Sequence, residues 1–579
     1  MTHITAIAFT LMVYLLLGVA YYGWGRIASL LLGIADQKPE SPVMPVWLGW
    51  AFTLLIFQML HFFLPITVFV TVPVLVFGMI SSFSQIRNEV RRFFAQQPSL
   101  KLLIIAVILT LGIAAWLASR AMLPPTNYDS GLYHFNAIRW INTYPIVPGL
   151  GNLHGRLAFN QSFFTYVAAL NFYPVFGYGR SLANSFLLLL VLAAVLPSIM
   201  SIIRQPSLLI KEHPFRYASD LFMLPIIFYI AFSSDGIASP TPDLASTLLQ
   251  LVMFITLVHS IEEWIRGQRE QNYRVITLVV LAATAVTIKL SNLAFSSVII
   301  GFALIYTWQT SHAYIKDFLR ILLASFVLIF VWGLRGFILS GAPLFPSTIG
   351  YISTEWAVPI GKVIDEANWV YSWARMPGAN WRDVLGNWAW LHPWLLRMSK
   401  DMTNVVYPLM MTVLFCILAM VLGRFKKARQ PHYLEWAILL PSIISLIYWF
   451  FTAPDPRFAH AIFFLALICS MLLFLLSIKD MVCSRTFVAM LCLVFLTGYG
   501  DIFSYTFRHL GDIKSVSTCG WSAAKEVTLN IKITSSGLIV YTPRTGDQSW
   551  DSPLPSTPHF DDRFRLRNPA SMSAGFTVK

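Results

Sequence analysis

The sequence predicts an all-α polytopic membrane protein, and three observations carry that reading. Hydrophobic residues make up 57% of its 579 residues and the mean hydropathy is +0.66. Charged residues make up only 12%, roughly half the fraction of a soluble globular chain. Apolar segments also recur at span length: about 20 residues, rising about 1.5 Å each, cross a hydrocarbon core of about 30 Å. There are about fourteen such segments, starting near Ile4, Val43, Ile66, Lys101, Ser181, Ala218, Leu244, Val275, Asn292, Leu319, Thr403, Leu434, His460 and Thr486.

Taken in order, Met1 to Thr5 has no Lys or Arg and the following run is span-length, so the first segment is expected to stay as a helix rather than be cleaved as a signal peptide. Residues 1–100 read as a three-helix N-terminal membrane extension, 101–503 as the transmembrane core and 504–579 as a tail domain. The connecting segments alternate between two sides. Short loops at 25–43, 84–101, 204–217, 261–274, 309–320, 423–433 and 478–485 hold about half of the 41 lysines and arginines and read as cytoplasmic. The other side holds the long segments 120–180, 335–402, 452–459 and the tail, so both termini face outward.

Asn127 to Trp140 is spaced as a helix lying in the membrane interface. In the tail, Leu538 to Tyr541 is strand-like and is followed by Pro and Gly turns, which predicts a small β-rich extracytoplasmic domain with an ordered loop at 547–558. Five cysteines show no disulfide or metal-ligand spacing; Cys519 stands alone in the tail. The net charge of +14 first implies cytoplasmic loops and anionic membrane lipid, not nucleic acid.

Ionisable residues at the membrane edge are costly and mark function. Asp129 opens the interfacial helix, Asp243 lies in SPTPDLA before a span, Lys289 lies in TIKLSN between two spans and Arg457 lies in APDPRFAH. All four fall on the outer side. A carboxylate can take a proton from a hydroxyl while Lys or Arg holds a departing phosphate, so the set suits group transfer from a lipid phosphate. Each has a plainer reading: helix caps for Asp129 and Asp243, snorkelling for Lys289 and a local pair with Asp455 for Arg457. Arg139, Arg156, His154 and Arg335 also suit headgroup anchoring. The tryptophans at 369, 373, 381, 388, 390 and 394 read as an interfacial belt or as sugar-stacking residues.

At these residues the chain resembles the GT-C superfamily of multispan glycosyltransferases, which use polyprenyl-phosphate or polyprenyl-diphosphate sugars. Asp129 and Tyr133 match its Asp-Glu-x-x-Tyr element, with Ser130 in place of the Glu. That departure puts the base assignment on Asp129 and leaves a divalent metal possible but without support. Phe159 to Phe172 looks like the second interfacial helix, and Phe176, Gly177 and Arg180 like the element opening the next span. Asp243, the pair Thr287 and Lys289, and Arg457 with Phe458 follow in the superfamily's order. The likeness covers about 101–503. The stretches VPGLGNLHGRLAFNQS, RGFILSGAPLFPS and WDSPLPSTP also look like an uncharacterised bacterial multispan family.

The resemblance implies an inverting glycosyltransferase of the bacterial inner membrane with a periplasmic active site and no cofactor. The donor would be a polyprenyl-linked sugar and the acceptor a glycan, lipid or protein. Asp129 and Asp243 would be catalytic, with Tyr133, His134, Lys289, Arg457, Arg335 and Arg180 binding substrate. A transporter or flippase for lipid-linked oligosaccharide, or a non-catalytic envelope-assembly protein, would use the same charges without bond making. The sequence shows no internal repeat of the kind many transporters carry.

Overall fold

Helices follow the apolar segments in chain order in a computed structural model, which describes residues 2–578 except 38, 40, 42, 96–99, 206–213, 268–271, 312, 425–431, 510 and 512–519. Lys211, Arg269, Lys426, Lys427, Arg429 and Cys519 therefore lie outside the described residues. The first four helices are α1 (His3–Leu31), α2 (Val43–Leu60), α3 (Val68–Ala95) and α4 (Leu100–Ala121). Two short helices follow, α5 (Phe135–Thr143) and α6 (Phe163–Leu170). The centre of the chain forms α7 (Arg180–Arg204), α8 (Pro214–Ser233), α9 (Pro242–Ile265), α10 (Asn272–Ile288), α11 (Leu293–Thr310) and α12 (Tyr314–Ser340). A long connection carries α13 (Ile360–Arg375), α14 (Trp381–Val384) and α15 (Leu391–Met398). The last helices are α16 (Tyr407–Leu422), α17 (Tyr433–Trp436), α18 (Leu440–Thr452), α19 (Pro456–Ala459), α20 (Ile462–Ile478), α21 (Ser484–Gly498) and α22 (Gly500–Arg508).

The fourteen apolar segments are all helical, but they differ in length. Among the described residues, 11 helices are long and apolar enough to cross a membrane, or 12 if the pair bent by 56° at α21 and α22 is one span. The other two apolar segments form α10 and α20, each 17 residues long. At about 1.5 Å per residue each is about 25 Å long, the short end of the range for a spanning helix. Both stop where polar chain begins, α10 before Lys289 and α20 after His460. They sit inside the bundle: every residue of α20 is buried.

Small residues bring the N-terminal helices together. A side chain at Gly49 would place its Cβ 1.8 Å from the Tyr21 carbonyl, so α1 and α2 cross at a distance only glycine allows. This segment also joins the rest of the bundle. Tyr14 donates to Ser185 on α7 (2.6 Å), and the Trp50 ring meets Tyr166 on α6 edge-on.

The C-terminal segment forms two small antiparallel sheets, β1 (Leu529–Ile533) with β2 (Ile539–Pro543) and β3 (Arg565–Leu566) with β4 (Phe576–Thr577). In the first, Ile531 faces Tyr541. The sheets do not stand apart. Phe576 donates its amide to Pro148 (2.9 Å), Thr557 donates to the Leu153 carbonyl (2.9 Å), and Arg567 pairs with Glu355 at 3.2 Å. Strands, α5 and the 341–401 connection thus build one cap over the end of the bundle where Asp129 lies.

Candidate active site

Four breaks in the helical chain meet under this cap. The first is the turn 127–134, where Ser130–His134 forms a π-helix preceded by Asp129, a widened turn that recurs at functional sites. The second is the start of α9. The third is Lys289, in extended backbone between α10 and a single 3-10 turn that leads into α11. The fourth is the turn 453–461. A buried amide network ties three of them together. Gln250 on α9 donates to Asn292 (3.0 Å) and accepts the Ala461 amide (3.0 Å), while Asn292 donates to Ser246 and to the Ala285 carbonyl, both at 3.0 Å.

The four charges singled out in the sequence converge here. Lys289 forms an ion pair with Asp243. Arg457 donates from Nη1 to Asp129 Oδ2 at 2.9 Å and lies 3.7 Å from Asp243 Oδ2 through Nε. Arg156 reaches Asp129 Oδ1 at 3.4 Å and Glu366 on α13 at 3.7 Å. Three carboxylates therefore face three cations. The Phe458 ring underlies two of these, 4.4 Å from Lys289 Nζ and 4.9 Å from the Arg457 guanidinium. Arg457 remains 36% exposed at its side chain, against 13% for Asp129, so the site has an open side at Arg457.

The plainer readings of these residues do not describe the geometry. Asp129 makes no side-chain cap bond, and its oxygens are held by guanidinium groups instead. The cap of α9 is Thr241, whose hydroxyl accepts the Asp243 amide, which leaves the Asp243 carboxylate for Lys289. Asp455 pairs with Arg397 (3.2 Å) and accepts the Arg457 amide (3.1 Å), so Arg457 points past it to Asp129 and Asp243. Burial alone would lower the Arg457 pKa; Asp243 and Asp129 outweigh it and raise it further.

The other expected residues are placed differently. Tyr133 is buried beneath Arg156 and donates to Gln161 (3.3 Å). His134 is buried against Tyr133 and Phe164, with Nδ1 3.3 Å from the Ser130 hydroxyl, and burial pushes its pKa down to about 4. Arg335 and Arg180 share no ion pair with the four. Arg335 meets His61 Nδ1 (2.8 Å) and Asn160 (3.3 Å). Arg180 donates to the carbonyls of Ala238 (2.5 Å), Leu123 (3.3 Å) and Ser522, joining the start of α7 to neighbouring turns. Arg139 pairs with Asp551, and His154 packs on His559. Of the tryptophans, 369, 373 and 388 are exposed, whereas Trp390 and Trp394 are buried in a cluster with Trp449.

His460 was not visible from sequence. Its Nε2 lies 2.7 Å from the Ser291 hydroxyl beside Lys289. Its backbone is left-handed in φ (55°) with ψ of −118°, a region non-glycine residues rarely occupy. Burial first and Lys289 second push its pKa down to about 3, so the ring is neutral. A lone histidine in APDPRFAH gave no signal beyond its nearness to Arg457. Among the described residues, no group of three or more His, Cys, Asp or Glu could hold a metal ion.

A family described as a domain of unknown function, DUF8201, matches residues 7–465. The chain belongs to the DUF8201 family. The DUF8201 region contains Asp129, Arg156, Asp243, Lys289, Glu366, Arg457 and His460 and ends within α20, before α21 and the strands. No curated protein and no solved structure matches the chain.

Proposed function

We propose that this DUF8201 protein is a GT-C-like membrane glycosyltransferase that moves a sugar from a polyprenyl-phosphate or diphosphate donor to an extracytoplasmic glycan, lipid or protein. The observation that carries this is the convergence of Asp129, Asp243, Lys289 and Arg457, from four separate segments, into one partly open cluster at a bundle end. The likeness to the superfamily rests on the sequence motifs. The proposed setting is a bacterial inner membrane with this end toward the periplasm, which the basic short loops support.

In the reaction, Asp129 accepts the proton of an acceptor hydroxyl as that oxygen bonds to the anomeric carbon. The bond from that carbon to the phosphate oxygen breaks, and its electron pair leaves with the phosphate. Attack opposite the leaving group inverts the anomeric centre. Lys289 and Arg457 meet the charge that develops on the phosphate. In the present arrangement Arg156 and Arg457 each occupy one Asp129 oxygen. If Arg457 gives its planar fork to the donor phosphate, Asp129 Oδ2 is freed to face the acceptor hydroxyl.

Purified protein in nanodiscs, given polyprenyl-phosphate sugars and an acceptor glycan with free hydroxyls, should release the polyprenyl phosphate and glycosylate the acceptor. Asp129→Asn keeps the side-chain size and cannot take the proton, so turnover should fall by about 100-fold or more with insertion and melting intact. Near-normal turnover of that variant would remove Asp129 as base. The engagement of both Asp129 oxygens favours one second reading, transport of a lipid-linked oligosaccharide, in which the charges bind without bond making. Movement of the intact lipid-linked sugar across proteoliposomes, with no phosphate released, would decide for it.

A further inference from the structure

The tail reaches the candidate site through a small set of contacts concentrated on the turn that carries Asp129. Tyr128, just before it, donates its hydroxyl to Asp547 (2.5 Å), and its carbonyl accepts from Gln548 (2.8 Å). Two residues after it, the Gly131 carbonyl accepts the Trp550 amide (2.8 Å). The Trp550 ring packs against Gly131, where an added Cβ would sit 2.5 Å from the ring. Trp550 holds a left-handed φ of 46° to make this approach and is 6% exposed. Further along, Asn136 donates to Ser556 (2.5 Å) and Arg139 to the Asp551 carbonyl (2.7 Å).

We propose that segment 547–556 is a positioning element of the site, in which Asp547, Gln548 and Trp550 clamp residues 128 and 131 and so fix the direction in which Asp129 points. The physical reason lies in the π-turn. A widened turn misaligns the backbone ladder, and the Trp550 amide supplies a donor to a carbonyl at that turn. The missing Cβ at Gly131 is what lets the indole close on the turn. Asp129 is bracketed on both sides by contacts from a segment more than 400 residues away in the chain. The tail is then part of the site's framework, outside the matched family region yet needed for its geometry.

The clamp can be tested without assuming a reaction. In full-length protein with the native cysteines replaced, cysteines at positions 129 and 457 are joined by a short bis-thiosulfonate reagent, since the native side chains meet at 2.9 Å. Gly131→Ala, which pushes against the ring, and Trp550→Ala, which removes it, should each lower the cross-linking yield severalfold. The double variant should do no worse than Trp550→Ala alone, because the added methyl then meets no ring; two unconnected lesions would add. Trp550→Phe, with the amide and a flat ring kept, should recover most of the yield. Gly131→Ala also guards the test against unfolding, since it removes no buried group and its melting can be followed in parallel. Unchanged yield in both single variants, or fully additive losses in the double, would overturn the clamp. The proposal rests on the transferase reading only for its consequence, a loss of turnover in step with the yield. If no preparation releases polyprenyl phosphate while the cross-linking pattern holds, that reading fails and the clamp stands.

Discussion

Arg457 contacts both carboxylates through different nitrogens, so charge alone does not describe its role. Lysine keeps the charge and loses the planar fork; glutamine loses both. Turnover per folded molecule should therefore fall in the order Arg, Lys, Gln at 457, and Lys289→Met, which leaves Asp243 with Arg457 alone, should also be severely impaired. Because a cation that meets developing charge acts mainly in the transition state, kcat should fall more than KM rises. Equal rates for the three residues at 457 would end the phosphate role. A second prediction concerns the buried histidines of the cap. Burial lowers the pKa of His134 from 6.5 to about 4 and that of His154 from 6.5 to about 3. The unfolded chain then takes up protons first as pH falls, so their contribution is complete above about pH 6.5 and is lost as pH falls toward those lower values. At about pH 5.5 each should cost about 1.4 kcal/mol. The melting temperature should drop between pH 7.5 and 5, and less steeply in His134→Gln; a flat profile would contradict this.

The helix ends, more than the helix bodies, set the site. α10 and α20 are short helices, and their ends carry Lys289 and His460 into one polar region. Irregular backbone at that depth needs partners from the protein, which Gln250 and Asn292 supply. Gln250→Ala leaves the Ala461 amide and the Asn292 carbonyl oxygen without their buried partner, at about 1–3 kcal/mol each. We expect a lower melting temperature together with reduced turnover. Gln250→Glu should restore the acceptor for Ala461 and not the donor to Asn292, giving an intermediate melting temperature. Wild-type melting in Gln250→Ala would show that the network holds nothing.

Across the whole molecule, the charged cluster and the cap share one end, and a second set of buried ionic groups lies toward the other. On α8 and α9, Asp220 pairs with His259 at 3.0 Å, and Glu263 pairs with Arg274 of α10 at 2.5 Å. The proposed orientation, with the basic short loops on the cytoplasmic side, can be checked with a native thiol. Cys483 is exposed, at the start of α21 in one of the short basic loops. With the other four cysteines replaced, a membrane-impermeant maleimide should label it in inside-out vesicles and not in intact spheroplasts, whereas a single cysteine placed at Ser536 in the tail should show the reverse. Labelling of Cys483 from outside would invert the topology and move the site to the cytoplasm.

The sequence by itself determined the membrane class, because apolar runs of span length with few charges need no tertiary partner to be recognised. It also determined the four charges, since Asp129, Asp243, Lys289 and Arg457 stand out against apolar neighbours where an ion is costly. Arg156 was legible only as one basic residue among several, and Glu366 not at all, because an acid on an amphipathic helix looks solvated until something packs on it. Gln250 and Asn292 were hidden for a related reason: neutral amides in apolar runs announce no partner. Tertiary structure alone decided which cations meet which carboxylates, that neither aspartate serves as a helix cap, and that Arg180 and Arg335 are engaged elsewhere. It also decided where α10 and α20 end and that Trp550 closes on Gly131. These are matters of long-range approach. Local composition fixes where a helix is cheap, while pairing across hundreds of residues depends on how the helices pack.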